Sequence, residues 1–216
     1  KRIVFQEKSK PEYINTLEFI NRLATTFVSL EVIYEDKGKV IIRDMSTYDS
    51  IDYETIYHRI SALVTDIGEV LLKCLDTNDQ KYISSLSAIE FNINKLCNYY
   101  MRCLAKSHFP NVKEDLPMYI IISDIENCVD KYWDIIKLRM EFNYTYNKKN
   151  NLIFVNAVEL INRAIRIAPR GKPQETLDFY QEIKKSISNI ELNKEPDPLV
   201  IELKQILIIV KEIIHY

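Results

Sequence analysis

From residue 52 onward, apolar positions recur at alternating steps of three and four. Between about 52 and 75 they are Ile56, Ile60, Leu63, Ile67, Val70 and Cys74. From 79 to 106 they are Leu86, Ile89, Ile93, Leu96, Tyr100 and Cys103, and from about 115 to 144 Met118, Ile122, Ile125, Val129, Tyr132, Ile136 and Met140. A mean step of about 3.5 residues is the seam that antiparallel bundles use. Short polar or Pro/Gly stretches at 76–79, 108–112, 147–151, 168–173 and 194–198 interrupt it, as turns between neighbouring antiparallel helices do. Three shorter helices follow at about 152–168, 174–192 and 199–215. The first 50 residues read differently. Arg2-Ile-Val-Phe5 suits a strand, and a helical run from Pro11 to about Phe27 starts behind Ser9. Leu30-Glu-Val-Ile-Tyr34 and Lys39-Val-Ile-Ile-Arg43 flank the turn Glu35-Asp-Lys-Gly38, a hairpin signal. The pattern predicts a mainly α protein of six antiparallel helices, as two sets of three (51–146 and 147–216), preceded by a small α/β unit over 1–50.

Composition narrows what such a bundle could do. The chain has 216 residues, 47% of them hydrophobic, which is enough to bury a real core and excludes intrinsic disorder. Its three glycines, Gly38, Gly68 and Gly171, stand far apart, so no glycine-rich phosphate loop can be written. Gly68 alone falls inside a helix, where close packing is the expected reason. The net charge of −2 argues against binding nucleic acid by bulk electrostatics. Four cysteines without a CxxC pair read as reduced, buried thiols of a cytoplasmic protein. No apolar run approaches the ~18 residues of a membrane span, so a soluble protein without membrane insertion is expected. The chain begins at Lys1, which suggests that natural residues preceding it have been removed.

Candidate chemistry lies beside the seams of the second and third helices. Glu90, Asn94, Cys97 and Met101 form one line, and Glu126, Asp130, Trp133 and Lys137 the other. Spacing of i, i+4 stacks Glu126 over Asp130 on one helix face. Two such carboxylates repel unless something positive lies between them, and oxygen ligands of this kind suit Mg²⁺, Mn²⁺ or iron. Asp124 and Asp134 add negative charge nearby. The same ExxxD spacing is also common on solvated helix faces. A ferritin-like di-metal centre would need inward Glu-x-x-His pairs, and the sole example, Glu212-Ile-Ile-His215, stands by accident at the end of the chain. His58 suits a helix surface and His108 a loop, and no nucleophile–base pairing is written in the sequence. The 14 tyrosines fit helix packing better than base stacking, which also needs a basic groove.

Order and spacing give the layout a family likeness. Leu30-Glu-Val-Ile-Tyr-Glu-Asp-Lys-Gly-Lys-Val-Ile-Ile-Arg-Asp44 with Ile56-Tyr-His-Arg-Ile60, then Ile89-Glu-Phe-Asn-Ile-Asn-Lys-Leu96 with Tyr100-Met-Arg102, then Asp124-Ile-Glu-Asn-Cys-Val-Asp130, resemble archaeal PhoU-like phosphate uptake regulators across nearly the whole chain. The family's E/DxxxD metal motif falls intact on Glu126 and Asp130. On the second helix it falls on Glu90 and Asn94, an amide in place of the second acid. The second set offers Asp178 and Glu182, but Glu202 faces no acid at Ile206. The resemblance thus implies at most one weak site for a divalent or iron cation, on Glu90, Glu126 and Asp130. It also implies a non-enzymatic cytoplasmic homodimer, without the SpoVT/AbrB-type DNA-binding domain that such proteins usually carry at the N-terminus. Through a phosphate ABC transporter, a sensor kinase or the transcription apparatus it would damp phosphate uptake. A metal-dependent all-α enzyme acting on phosphate compounds is the alternative.

Overall fold

The computed structural model describes residues 2–6, 20, 24, 26–36, 39–44, 52–77, 79–107, 111–141, 150–169, 173–191 and 197–214. Three strands come first: β1 (Arg2–Gln6), β2 (Leu30–Asp36) and β3 (Lys39–Asp44). Six helices follow: α1 (Tyr53–Thr77), α2 (Gln80–Lys106), α3 (Val112–Glu141), α4 (Asn151–Ile167), α5 (Pro173–Glu191) and α6 (Pro198–Ile213). The architecture is the mainly helical bundle that the hydrophobic pattern predicts, the last three helices shorter than the first three.

The expected hairpin forms, Leu30 opposite Asp44 and Val32 opposite Ile42 in antiparallel register. β1 adds to the far edge of β3, so the order is β1-β3-β2. Consecutive side chains on a strand point to opposite faces. Ile41 and Ile42 are nevertheless both buried, so the central strand is covered on either side. Ile20 and Ala24 are helical, while the rest of the expected helix over 11–27 and the turn at Gly38 lie outside the described residues. Ile20, Ile42, Leu30 and Val32 form an apolar cluster of their own, apart from the large core of the bundle.

The helix ends follow local rules. Asp79 caps α2 by accepting from the Lys81 N–H at 2.9 Å, and Asp197 caps α6 from the Leu199 N–H at 2.9 Å with Pro198 at the first turn. α3 begins at Val112, a few residues before the apolar seam suggests. Asn111 holds that start, its carbonyl accepting from Glu114 and Asp115 while its N–H donates to Asp115 Oδ2 at 2.8 Å.

Contacts along the helices fix their directions. Asn94 and Asn98 of α2 reach Asp130 and Glu126 of α3, so these helices run antiparallel. Tyr57 donates to the Ile165 carbonyl at 2.6 Å while Gly68 abuts Val158, which sets α1 against α4 in the same sense. The two sets of three meet mainly through α3 against α6 and α1 against α4. Lys131 of α3 reaches Glu202 of α6 at 3.2 Å across the first of these seams.

The buried stripe departs from the expected seam in one respect. On α1, Tyr57, Val64 and Leu71 are buried, and Ile56, Leu63 and Val70 are only partly covered. On α2, Cys97 displaces Leu96 as the residue facing the core, and on α3 Met140 is exposed. A two-helix seam needs a narrow stripe, whereas α1 packs on α2, α3 and α4 together and must bury a wider one. Among the described residues no helix is long and apolar enough to cross a membrane.

Candidate functional site

The i, i+4 spacing on α2 and α3 produces a polar layer along their shared edge. Beneath it the core is closed by Ile93, Cys97 and Val129, all fully buried. Asn94 stands at its centre. Its Nδ2 donates to Glu90 Oε1 on the same helix at 2.6 Å and to Asp130 Oδ1 on α3 at 3.3 Å. One turn further on, Asn98 Nδ2 donates to Glu126 Oε1 at 3.3 Å and to the Asn94 carbonyl at 2.8 Å. Glu90, Glu126 and Asp130 therefore do come together across two helices, joined by two amides.

The electrostatics follow from this crowding. Partial burial, reinforced by the Asp130 charge, raises the carboxyl of Glu90 above its ordinary range, against the Asn94 hydrogen bond and the Lys137 charge that lower it. Burial followed by Asp130 does the same to Glu126, opposed by Asn98. The Cys97 thiol below is pushed up by burial and then by Glu126 and Asp130, which leaves it an inert neutral group.

The flanking acids turn out to be occupied elsewhere. Asp134 pairs with Lys131 at 3.4 Å and with Lys137 at 3.1 Å, while burial raises the Asp124 carboxyl above its ordinary range, the Asn127 side chain opposes this by hydrogen bonding, and the like charge of Glu212 on α6 adds to the rise. Lys137 also lies 5.9 Å from the Trp133 ring. In the second set, Asp178 accepts from Gln174 and Glu182 pairs with Arg163 at 2.8 Å, while Ile206 is fully buried. His58 is a surface residue of α1, 3.5 Å from Glu54, as expected. His108 and His215 lie outside the described residues.

The donor set is hard and oxygen-rich, as a cation site requires, but its arrangement does not fit one. The point between Glu90 and Asp130 where a cation would sit is filled by the Asn94 amide, whose two N–H bonds supply the positive end that the carboxylates need. Asn94 Oδ1 is turned away and buried without a hydrogen-bond partner. Among the described residues no group of three or more His, Cys, Asp and Glu is placed to hold a metal ion.

Asn98 is the member of the layer that the sequence pattern misses. The line of Glu90 and Asn94 continues another four residues to Asn98, whereas Cys97, three on from Asn94, turns into the core. An unbroken i, i+4, i+8 polar series is the signal that finds it. No family model matches the chain, and no curated protein matches it.

Proposed function

We propose that the chain is a regulator of phosphate uptake and phosphate homeostasis that acts through protein–protein contacts and not through catalysis. Its targets are components of a phosphate ABC transporter or the sensor kinase and transcription machinery linked to one. Its effect is to damp uptake when phosphate is plentiful. The observation that carries the reading is the meeting of Glu90-x-x-x-Asn94 on α2 with Glu126-x-x-x-Asp130 on α3 within two sets of three helices, the order of the PhoU-like pattern. Apolar side chains stand exposed on the same two helices: Phe91 next to Glu90, Leu116 near the start of α3 and Met140 near its end. Contact with a partner, or with a second copy as a homodimer, is part of the same proposal. A divalent cation would have to displace the Asn94 amide first, so the regulatory role is assigned without one.

Deleting the gene from its host and measuring uptake of radiolabelled phosphate in phosphate-replete medium tests the proposal. Uptake several-fold above wild type is the expected result. Uptake that stays at the wild-type rate, with the deletion verified, overturns it.

A further inference from the structure

A second feature lies at one end of the first three helices. A cavity of about 310 Å³ opens where α1 and α3 begin and α2 and α4 end. Its floor is aromatic: Tyr57 and Tyr100 are buried, and the Tyr53 ring meets Tyr100 edge-on at 5.1 Å between centroids. Met118 of α3 adds an adaptable apolar wall. Because the Tyr57 hydroxyl is already spent on the Ile165 carbonyl, that ring offers the cavity carbon surface and not a polar tip.

The charge on the rim is uneven. Glu54 and His58 stand 3.5 Å apart, one turn from each other on α1. Arg166, at the end of α4, lines the same cavity and has no hydrogen bond or ion pair among the described residues. Ser61 places a hydroxyl on the wall. An apolar, aromatic pocket with one unanswered guanidinium is the usual composition of a small-molecule site, in which a few polar groups set orientation.

We propose that this cavity binds a small, mainly apolar monoanion, an aromatic or aliphatic carboxylic acid, with its carboxylate on Arg166 and its hydrocarbon body against Tyr53, Tyr57, Tyr100 and Met118. The size follows from the volume. A dry cavity of about 150 Å³ holds a benzene ring. Twice that volume takes a ring with a short chain, or a chain of about eight carbons. Arginine is the natural anchor, because its planar fork meets both carboxylate oxygens at once. The site spans elements from both sets of helices, so occupancy would tie α4 to α1 and α3. The inference is independent of the phosphate reading.

Calorimetric titration of the purified chain with 3-phenylpropionate and octanoate, and with 3-phenylpropanol as the uncharged counterpart, tests the proposal. The acids are expected to saturate one site with a Kd of about 1 mM or tighter, and the alcohol to bind more weakly. Arg166→Gln, an exposed position whose change leaves the fold intact, should weaken the acids by about tenfold or more and leave the alcohol unchanged. Ser61→Phe, which fills the cavity, should abolish binding of all three while the protein still melts cooperatively. Failure of both acids to saturate, acid affinity unaltered in Arg166→Gln, or binding that survives Ser61→Phe would each overturn the assignment.

Discussion

Restoring the second acid on α2, by Asn94→Asp, reverses the sign of the group at the centre of the polar layer. In the native chain Asn94 Nδ2 holds Glu90 at 2.6 Å and Asp130 at 3.3 Å. A hydrogen bond to a charged group contributes about 1.5–3 kcal/mol net, and the half-buried setting and the long second bond put this pair near the lower figure. The new carboxylate then stands about 4 Å from two others, which repel it by about 1 kcal/mol each even at the water limit. Together the substitution should destabilise the chain by about 3 kcal/mol at pH 7, a fall in Tm of roughly 6–12 °C for a protein of this size. It also completes an oxygen cage that demands a cation. Mn²⁺ at about a hundred times its Kd would return about 2.7 kcal/mol. Differential scanning calorimetry of chelator-treated wild type and variant, with and without Mn²⁺, reads both effects. A metal-free variant as stable as wild type would show that the amide does not hold the carboxylates. A wild type raised by Mn²⁺ as far as the variant would show that a cation site already exists beside Asn94.

Other expectations rest on neighbouring features. A Cβ at Gly68 would lie 2.7 Å from Val158 Cγ1, a stiff β-branched side chain, so Gly68→Ala should lose about 1–3 kcal/mol to overpacking against about 1 kcal/mol gained in helix propensity. Its net destabilisation should disappear in a Val158→Ala background, and a destabilisation that persists there would place the clash elsewhere. Tyr132 is fully buried with its hydroxyl unpartnered among the described residues, so Tyr132→Phe should raise stability by about 1 kcal/mol in urea unfolding, and a loss would reveal a partner for the hydroxyl. Burial first, then Asp130, raises Glu126 above 4.5, so the folded state binds protons more readily than the unfolded one and stability falls as pH climbs from 4.5 through the raised value. Glu126→Gln should therefore raise Tm at pH 7.5 and lose that advantage towards pH 4.5, and a lower Tm at pH 7.5 would refute the sign. Arg102 donates to the Val28 carbonyl and to Ser29 Oγ and lies 5.9 Å from the Phe27 ring, so Arg102→Ala should speed amide exchange in β2 and leave α3 unchanged. Equal acceleration in both would mean that Arg102 supports the whole bundle.

How much could be read in advance depended on whether a residue's environment was set along the helix or between helices. The number of helices, their order and the hairpin follow from local periodicity and turn chemistry, so they were visible. The choice between Leu63 and Val64, or between Leu96 and Cys97, depends on how many neighbours a helix packs against, and one strand of sequence does not contain that number. Gly68 marks the boundary. Its place inside a helix announces a close approach, but Val158, ninety residues further on, supplies the reason.

The polar layer obeys the same division, which bears on function. The stacking of Glu126 over Asp130 is a property of one helix and was legible. The direction in which Asn94 turns its amide is set by Glu90 one turn back at 2.6 Å and, across the seam, by Asp130 at 3.3 Å, and that second bond changes the chemical meaning of the motif. Three carboxylates joined only by an acid at position 94 would repel one another unless a metal lay between them, so stability and metal supply would be linked. With an amide there, two N–H bonds do the work of the ion, and the positive charge of Lys137 offsets part of the remaining repulsion on Glu90. The α2–α3 edge thus keeps its geometry without a cation. On the proposed regulatory role, a surface that holds its shape independently of metal supply would present the exposed Phe91 and Met140 at any metal concentration, so chelation should leave binding of the proposed partner unaltered in the wild type and weaken it in Asn94→Asp.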